Sequence, residues 1–267
     1  MDRLVVSPIE FAIAVAAAAV IAALALRKRL LGPGGAVTAP LLGPGLVAAG
    51  DWWLGALLIG FFLTSSLLPS TEQGGPARTA WQVLANGGPA LVFGTLAVLT
   101  GEPAFLIGAA TTIAAATSDT WATELGKAFG GTPLSIRSGQ RVPPGTSGAV
   151  SGAGTGASVA GAVVIAALAW WLSPLAPEAA TLGAAQVAVI AACGVLGSAI
   201  DTLLGGTLQA RFRCDRCGKT SESPSEHELG HRAQHASGVA WMTNSTINLI
   251  AVTSAGSTAV ALGMLAL

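Results

Sequence analysis

Between Asp119 and Lys127 the sequence reads DTWATELGK, which puts an Asp, a Glu and a Lys directly after an apolar run, Ala104 to Ala116. On an α-helix each residue advances ~100°; with Asp119 at zero, Thr123 falls at ~40°, Lys127 at ~80°, Thr120 at ~100° and Glu124 at ~140°. Trp121, Ala122 and Leu125 take the opposite arc. Such a helix faces a wet cavity with one side and neighbouring helices or lipid with the other. An ionised group at the middle of a membrane helix costs roughly 2.5–3.5 kcal/mol on insertion scales, so a cluster of them calls for a use. Carboxylates can hold a divalent cation through oxygen, and ammonium or guanidinium groups can neutralise phosphate.

Three other segments repeat the pattern. RTAWQVLANGG places Arg78, Gln82 and Asn86 at i, i+4 and i+8; GSAIDTLLGG holds Ser198 and Asp201; and NSTIN holds Asn244 and Asn248. The amides have a plain structural reading as well, because polar side chains in helical bundles bond across helices. Downstream of the first stripe, RVPPGTSG reads as a rigid turn, since Pro143 and Pro144 restrict φ and disfavour helix before them. It predicts a helix beginning near Ser147, capped by Thr146 or Ser147, with free N–H groups for an anion beside Arg137 and Arg141.

One polar insert, residues 210–238, carries Cys214-x-x-Cys217-Gly218 and then His227, His231 and His235 at intervals of four. Two thiolates and two imidazoles complete a tetrahedral zinc site, and on a helix neighbouring members of the His series share a face. A reduced dithiol and a redox pair are the alternatives. GKT at Gly218–Thr220 is not a phosphate-binding P-loop, because Arg213 stands where that motif needs glycine.

These segments must be positioned by a membrane bundle. Of 267 residues 52% are hydrophobic and 10% charged, with 13 basic against 13 acidic side chains and a mean hydropathy of +0.67. Soluble domains carry roughly 25% charged residues, and a net charge of zero argues against a nucleic-acid partner. The expected fold is all-α, a polytopic transmembrane bundle of about eight spans forming one domain. The apolar stretches are Ile9–Leu26, Ala36–Ala49, Trp52–Leu68, Ala80–Thr100, Pro103–Lys127, Ser147–Leu172, Thr181–Leu208 and Val239–Leu267. Pro40 and Pro44 make the second a candidate broken or re-entrant segment. With eight spans every basic loop (27–29, 78, 127–141, 211–232) falls on one side, expected to be the cytoplasmic face of a prokaryotic plasma membrane.

LANGG, SDTWATELG, VPPGTSG, GSAIDTLLGGTLQ and NSTIN together resemble the integral-membrane family that includes the plant phytyl-phosphate kinase of vitamin E synthesis. The blocks follow the family's order and cover most of the chain from Trp52 onward. The resemblance implies a prenyl-phosphate kinase that converts an isoprenoid monophosphate to its diphosphate with a nucleoside triphosphate, CTP or ATP. Asn86, Asp119, Glu124, Asp201, Asn244 and Asn248 are the matching polar positions. Ser245 departs from the family block, which has an acidic residue there. On this reading Asp119 and Asp201 hold Mg2+, Glu124 orients a metal water, and Lys127, Arg78, Arg137 and Arg141 neutralise phosphate. Thr146 and Ser147 contribute donors, and Gln82, Asn86, Thr123, Asn244 and Asn248 support the site. A transporter of a small anion or lipid intermediate is the alternative, because broken helices and intramembrane charges also suit that class.

Overall fold

The computed structural model describes residues 6–69, 77–177, 182–214, 216–218, 220–222 and 233–266. The described chain forms α1 (Pro8–Arg27), α2 (Pro33–Ser66), α3 (Ala80–Thr100), α4 (Ala104–Phe129), α5 (Gly152–Trp171), α6 (Ala184–Thr207) and α7 (Asn244–Ala266). Five short strands join them: β1 (Leu134–Ser135) pairs with β2 (Ala149–Val150), and β4 (Thr220–Ser221), β3 (Arg211–Cys214) and β5 (Ala233–Ser237) form an antiparallel sheet in that order.

α2 is two rods in one run of helix. Gly50 and Asp51 leave helical geometry, Asp51 with φ 58°, and the chain doubles back there. The proof lies in the side chains. A Cβ on Gly55 would sit 2.6 Å from Val47, and one on Gly87 would touch both Leu42 and Leu58, so the two arms lie side by side. Asp51 accepts the Trp52 N–H at 2.6 Å and so satisfies a donor at the start of the second arm. The arms, 33–49 and 52–66, correspond to two of the expected spans, which brings the bundle to eight rods. The expected break at Pro40 and Pro44 does not occur: both lie inside unbroken helix.

α4 is the central post. It packs against α2, α3, α5, α6 and α7, and every residue from Leu106 to Ser118 is buried. Six helices are long and apolar enough to cross a membrane; α4 is not among them, because its threonines and polar final third dilute its apolar content. Its neighbours screen it from lipid instead. Thr111, Thr112 and Thr117 donate to carbonyls of their own helix at 2.7–2.8 Å, so the buried hydroxyls are satisfied. Around it the helices meet through small residues, as membrane bundles do. Gly194 lies on Ala114 and Ala162, Gly197 on Ala115 and Ala255, and Gly256 on Phe93 and Thr112.

Two expected helix starts are corrected. α5 begins at Gly152 with Ser151 as its cap, whose hydroxyl accepts the Gly154 N–H at 3.1 Å; Thr146 and Ser147 do not cap it. The reason is Gly148: at φ 73°, with a would-be Cβ only 2.1 Å from the Gly206 Cα, it turns the chain hard against α6 and delivers it to β2. α7 begins at Asn244, because the residues before it form β5 and the tight turn in which Ala210 bonds Met242.

Candidate functional site

The C-terminal ends of α4 and α6 and the N-terminal ends of α3, α5 and α7 lie at one end of the bundle. The 27–32 turn bonds Arg78 there, Gly148 seats on Gly206, and Val239 bonds Leu208. Arg27, Lys28, Arg29, Arg78, Lys127, Arg137, Arg141, Arg211, Arg213 and Arg216 therefore collect at that end, while Asp51 and Glu102 mark the opposite one.

The two aspartates are brought together by a helix crossing. α4 and α6 approach so closely at Ala115 and Gly197 that a Cβ on Gly197 would stand 2.6 Å from that of Ala115. Both helices run toward the basic end. Asp119 is four residues after Ala115 and Asp201 four after Gly197, so each lies one turn beyond the crossing on the same face. Asp201 consequently lies within electrostatic reach of Asp119, and Glu222 lies within reach of Asp201 as well. The amides close this lobe. The Asn248 side chain stands 3.4 Å from that of Asn86 and, with its NH2 turned toward the groups that need a donor, donates to the Asn244 carbonyl at 3.2 Å and to the Asp201 carboxylate. In that orientation Asn248 ties α7 to Asp201 of α6, with the Asn86 amide of α3 beside it.

Glu124, at the other edge of the α4 stripe, lies within electrostatic range of Arg78. Arg78 lies over the Phe61 ring at 5.6 Å; burial draws its guanidinium below the usual arginine range and Glu124 opposes that shift. Between the two edges, Thr123 is exposed, and only it and the terminal Phe129 are so on α4. The arc between Asp119 and Glu124 is therefore uncovered at Thr123. Trp121 faces away, against Gly161 of α5.

Glu222 carries no signal in the sequence. It lies in a polar run, TSES, without periodicity, and β4 is what carries it to the end of α6. There it accepts a short hydrogen bond from the Ser147 hydroxyl, while Arg211 donates to the Ser147 carbonyl at 3.5 Å.

Other expected residues are placed elsewhere. Gln82 belongs to the capping box of α3, its Oε1 accepting the Thr79 N–H at 2.8 Å. Asn244 is exposed and contributes its carbonyl. Arg141 donates to Thr132 Oγ1 at 2.9 Å, Arg137 is exposed on the β1–β2 hairpin, and Thr146 donates to the Pro143 carbonyl at 2.7 Å. Lys127 runs beneath the Pro-Pro-Gly turn, its Cε 3.1 Å from the Cβ position of Gly145.

In the polar insert Cys214 is buried on β3 and Cys217 is exposed. The turn between them is closed by the Gly218 N–H on the Cys214 carbonyl at 2.9 Å, with Gly218 at φ 72°. His227 and His231 lie outside the described residues. His235 sits on strand β5, not on a helix, edge-on to Phe212 of β3. Among the described residues no three His, Cys, Asp or Glu side chains converge on one ion-sized point.

The family model for Integral membrane protein DUF92 matches residues 16–256. The chain belongs to this family. It is 31% identical over 228 residues to Protein PGR of Arabidopsis thaliana, covering 74% of this chain and 77% of that protein. It is also 31% identical over 164 residues to an uncharacterized membrane protein of Methanocaldococcus jannaschii, covering 58% of this chain and 65% of the archaeal protein. No solved structure matches. The protein is an integral, multi-pass membrane protein.

Proposed function

We propose that this DUF92 protein is a membrane-embedded kinase that transfers a phosphoryl group from a nucleoside triphosphate, CTP or ATP, to an isoprenoid monophosphate. The observation that carries the reading is the pairing of Asp119 with Asp201 one turn beyond a helix crossing, at the basic end of the bundle. Basic loops favour the cytoplasmic side, where nucleotides are found.

The donor set fits a hard cation, because it is all oxygen: two carboxylates, with Glu222 and the amides of Asn86 and Asn248 nearby. With only two first-rank protein ligands, Mg2+ at Asp119 and Asp201 would keep waters and phosphate oxygens as the rest, which is how Mg2+ is usually bound. When bound, it would draw charge from the nucleotide's phosphate oxygens. An ionised oxygen of the lipid phosphate attacks the terminal phosphorus of the nucleotide, a P–O bond forms, and the bridging P–O bond breaks with its electron pair leaving on the nucleoside diphosphate. The acceptor is already ionised, so no general base is needed. Arg78 and Lys127 neutralise the phosphates across the Thr123 opening, and Glu124 holds the Arg78 guanidinium toward it.

A transporter would put its helix break at the binding site. The break at Gly50–Asp51 lies at the opposite end, which weighs against that reading. The test is incubation of detergent-purified protein with Mg2+, CTP or ATP, and phytyl monophosphate, followed by mass spectrometry. Formation of the diphosphate is expected; its absence with every nucleotide and with geranyl and farnesyl monophosphates would overturn the proposal.

A further inference from the structure

α1, both arms of α2 and the beginning of α3 line a cleft that opens to the surroundings. Its walls are apolar and mostly small: Ala18, Ile21, Ala39, Gly43, Leu58 and Phe62 are representative. α1 packs on α2 alone in substance and contributes an inner face of alanines, among them Ala14, Ala18 and Ala22. Leu31 and Val47 both line the cleft, so it follows the first arm of α2 for on the order of 20 Å at 1.5 Å per residue. Such a space has no partners for water and takes up hydrocarbon.

Its polar lining comes from Arg78, Gln82 and Asn86, all at the basic end. Arg78 lies within electrostatic range of Glu124 of α4, and Asn86 touches Asn248, which donates to Asp201. The cleft therefore runs directly into the site described above. A cationic and amide mouth with an apolar channel behind it has the chemistry of a lipid with one tail and an anionic head.

We propose that this cleft seats the tail of a single-chain prenyl monophosphate, with Arg78 at the head group. The small residues of α1 and the first arm of α2 then set which tails are accepted. The identity of the head group rests on the kinase reading; the tail site does not.

The test is binding of phytyl and geranyl monophosphate to the detergent-purified full chain without nucleotide, measured by native mass spectrometry. Ala18 and Gly43 both line the cleft where α1 packs on α2, the Gly43 Cβ position lying 3.4 Å from the Ala18 Cβ. Ala18→Phe and Gly43→Phe are each expected to weaken phytyl monophosphate binding roughly tenfold or more by excluding several methylenes, and geranyl monophosphate much less. Ala19→Phe, on the exposed side of α1, is expected to leave both unchanged. Unaltered phytyl monophosphate binding in both blocked variants would overturn the proposal, as would an equal loss in Ala19→Phe. Diphosphate formed at the wild-type rate by the blocked variants would sink the tail site and spare the kinase. Selective loss of binding without diphosphate from any nucleotide would do the reverse.

Discussion

The crossing of α4 and α6 allows a test that removes no polar atom from the site. Gly197→Ala places a methyl carbon 2.6 Å from the Ala115 Cβ and 3.1 Å from the Ala255 Cβ. Carbon atoms rest at about 3.5–4.0 Å, so α6 must withdraw from α4 by on the order of 1 Å, and Asp201 moves with it. Overpacking of this kind costs ~1–3 kcal/mol of stability. A displacement of ~1 Å within a catalytic constellation costs on the order of 10²-fold in rate. Turnover of phytyl monophosphate should therefore fall about a hundredfold in a variant that still purifies as a folded bundle, as read by diphosphate production and by thermal unfolding in detergent. The complementary double variant, Gly197→Ala with Ala115→Gly, shifts the methyl across the interface and should recover most of the rate. Wild-type turnover in the single variant would refute the view that this crossing sets the carboxylate spacing. So would a double variant no better than the single one.

Asp201→Asn preserves the acceptor for Asn248 and removes a charge from a cluster of three carboxylates. Turnover should drop on the order of 10²–10³-fold, while the unfolding temperature without Mg2+ holds or rises; a large thermal loss would mark Asp201 as structural. Glu222→Gln keeps an acceptor for the Ser147 hydroxyl and should lower turnover roughly tenfold without affecting Arg78-dependent lipid binding, since its charge and not its shape serves the site; turnover equal to wild type would exclude Glu222. The Cys214–Cys217 turn should retain about one zinc per chain by elemental analysis, with two neighbours of the series His227, His231 and His235 completing the tetrahedron, and lose it on Cys217→Ser. Less than about a tenth of an equivalent would leave the dithiol reading.

The stripes were legible because helical spacing alone aligns Asp119 with Thr123 and Lys127, and Asn86 with Arg78. Their partners across space were not, since nothing in the one-dimensional pattern tells α4 from α5 as the neighbour of α6. The separation of α2 into two rods was readable from Asp51 between apolar runs. The prolines misled: Pro40 and Pro44 sit in a first arm packed between α1 and the second arm, where a missing N–H is tolerated. The histidine interval of four suits one face of a helix, but it is also an even number and so suits one face of a strand, which is where His235 lies. Gln82 was read as site support because it shares a face with Arg78 and Asn86; the same residue three positions after Thr79 is the far end of a capping box. The two-residue strands and Glu222 depend on the insert folding back onto α6, and such short elements are set by tertiary contact.

Cost is the strongest reason to regard the carboxylate pair as functional. If the bundle needed only cross-helix adhesion at this level, neutral groups would supply it. One residue before Asp119, Ser118 ties α4 to α5 through Ser158 at 2.7 Å with hydroxyls alone. Asp119 and Asp201, one turn beyond the α4–α6 crossing, are carboxyl groups that repel when both are ionised, and Glu222 adds to the repulsion at Asp201. Asp201 accepts a hydrogen bond from Asn248 there, but a neutral amide would accept it equally. On the proposed reading a divalent cation would offset the repulsion, because each carboxylate would be attracted to the ion between them. The small-residue packing of α4 against α6 would then hold the two groups in place for it.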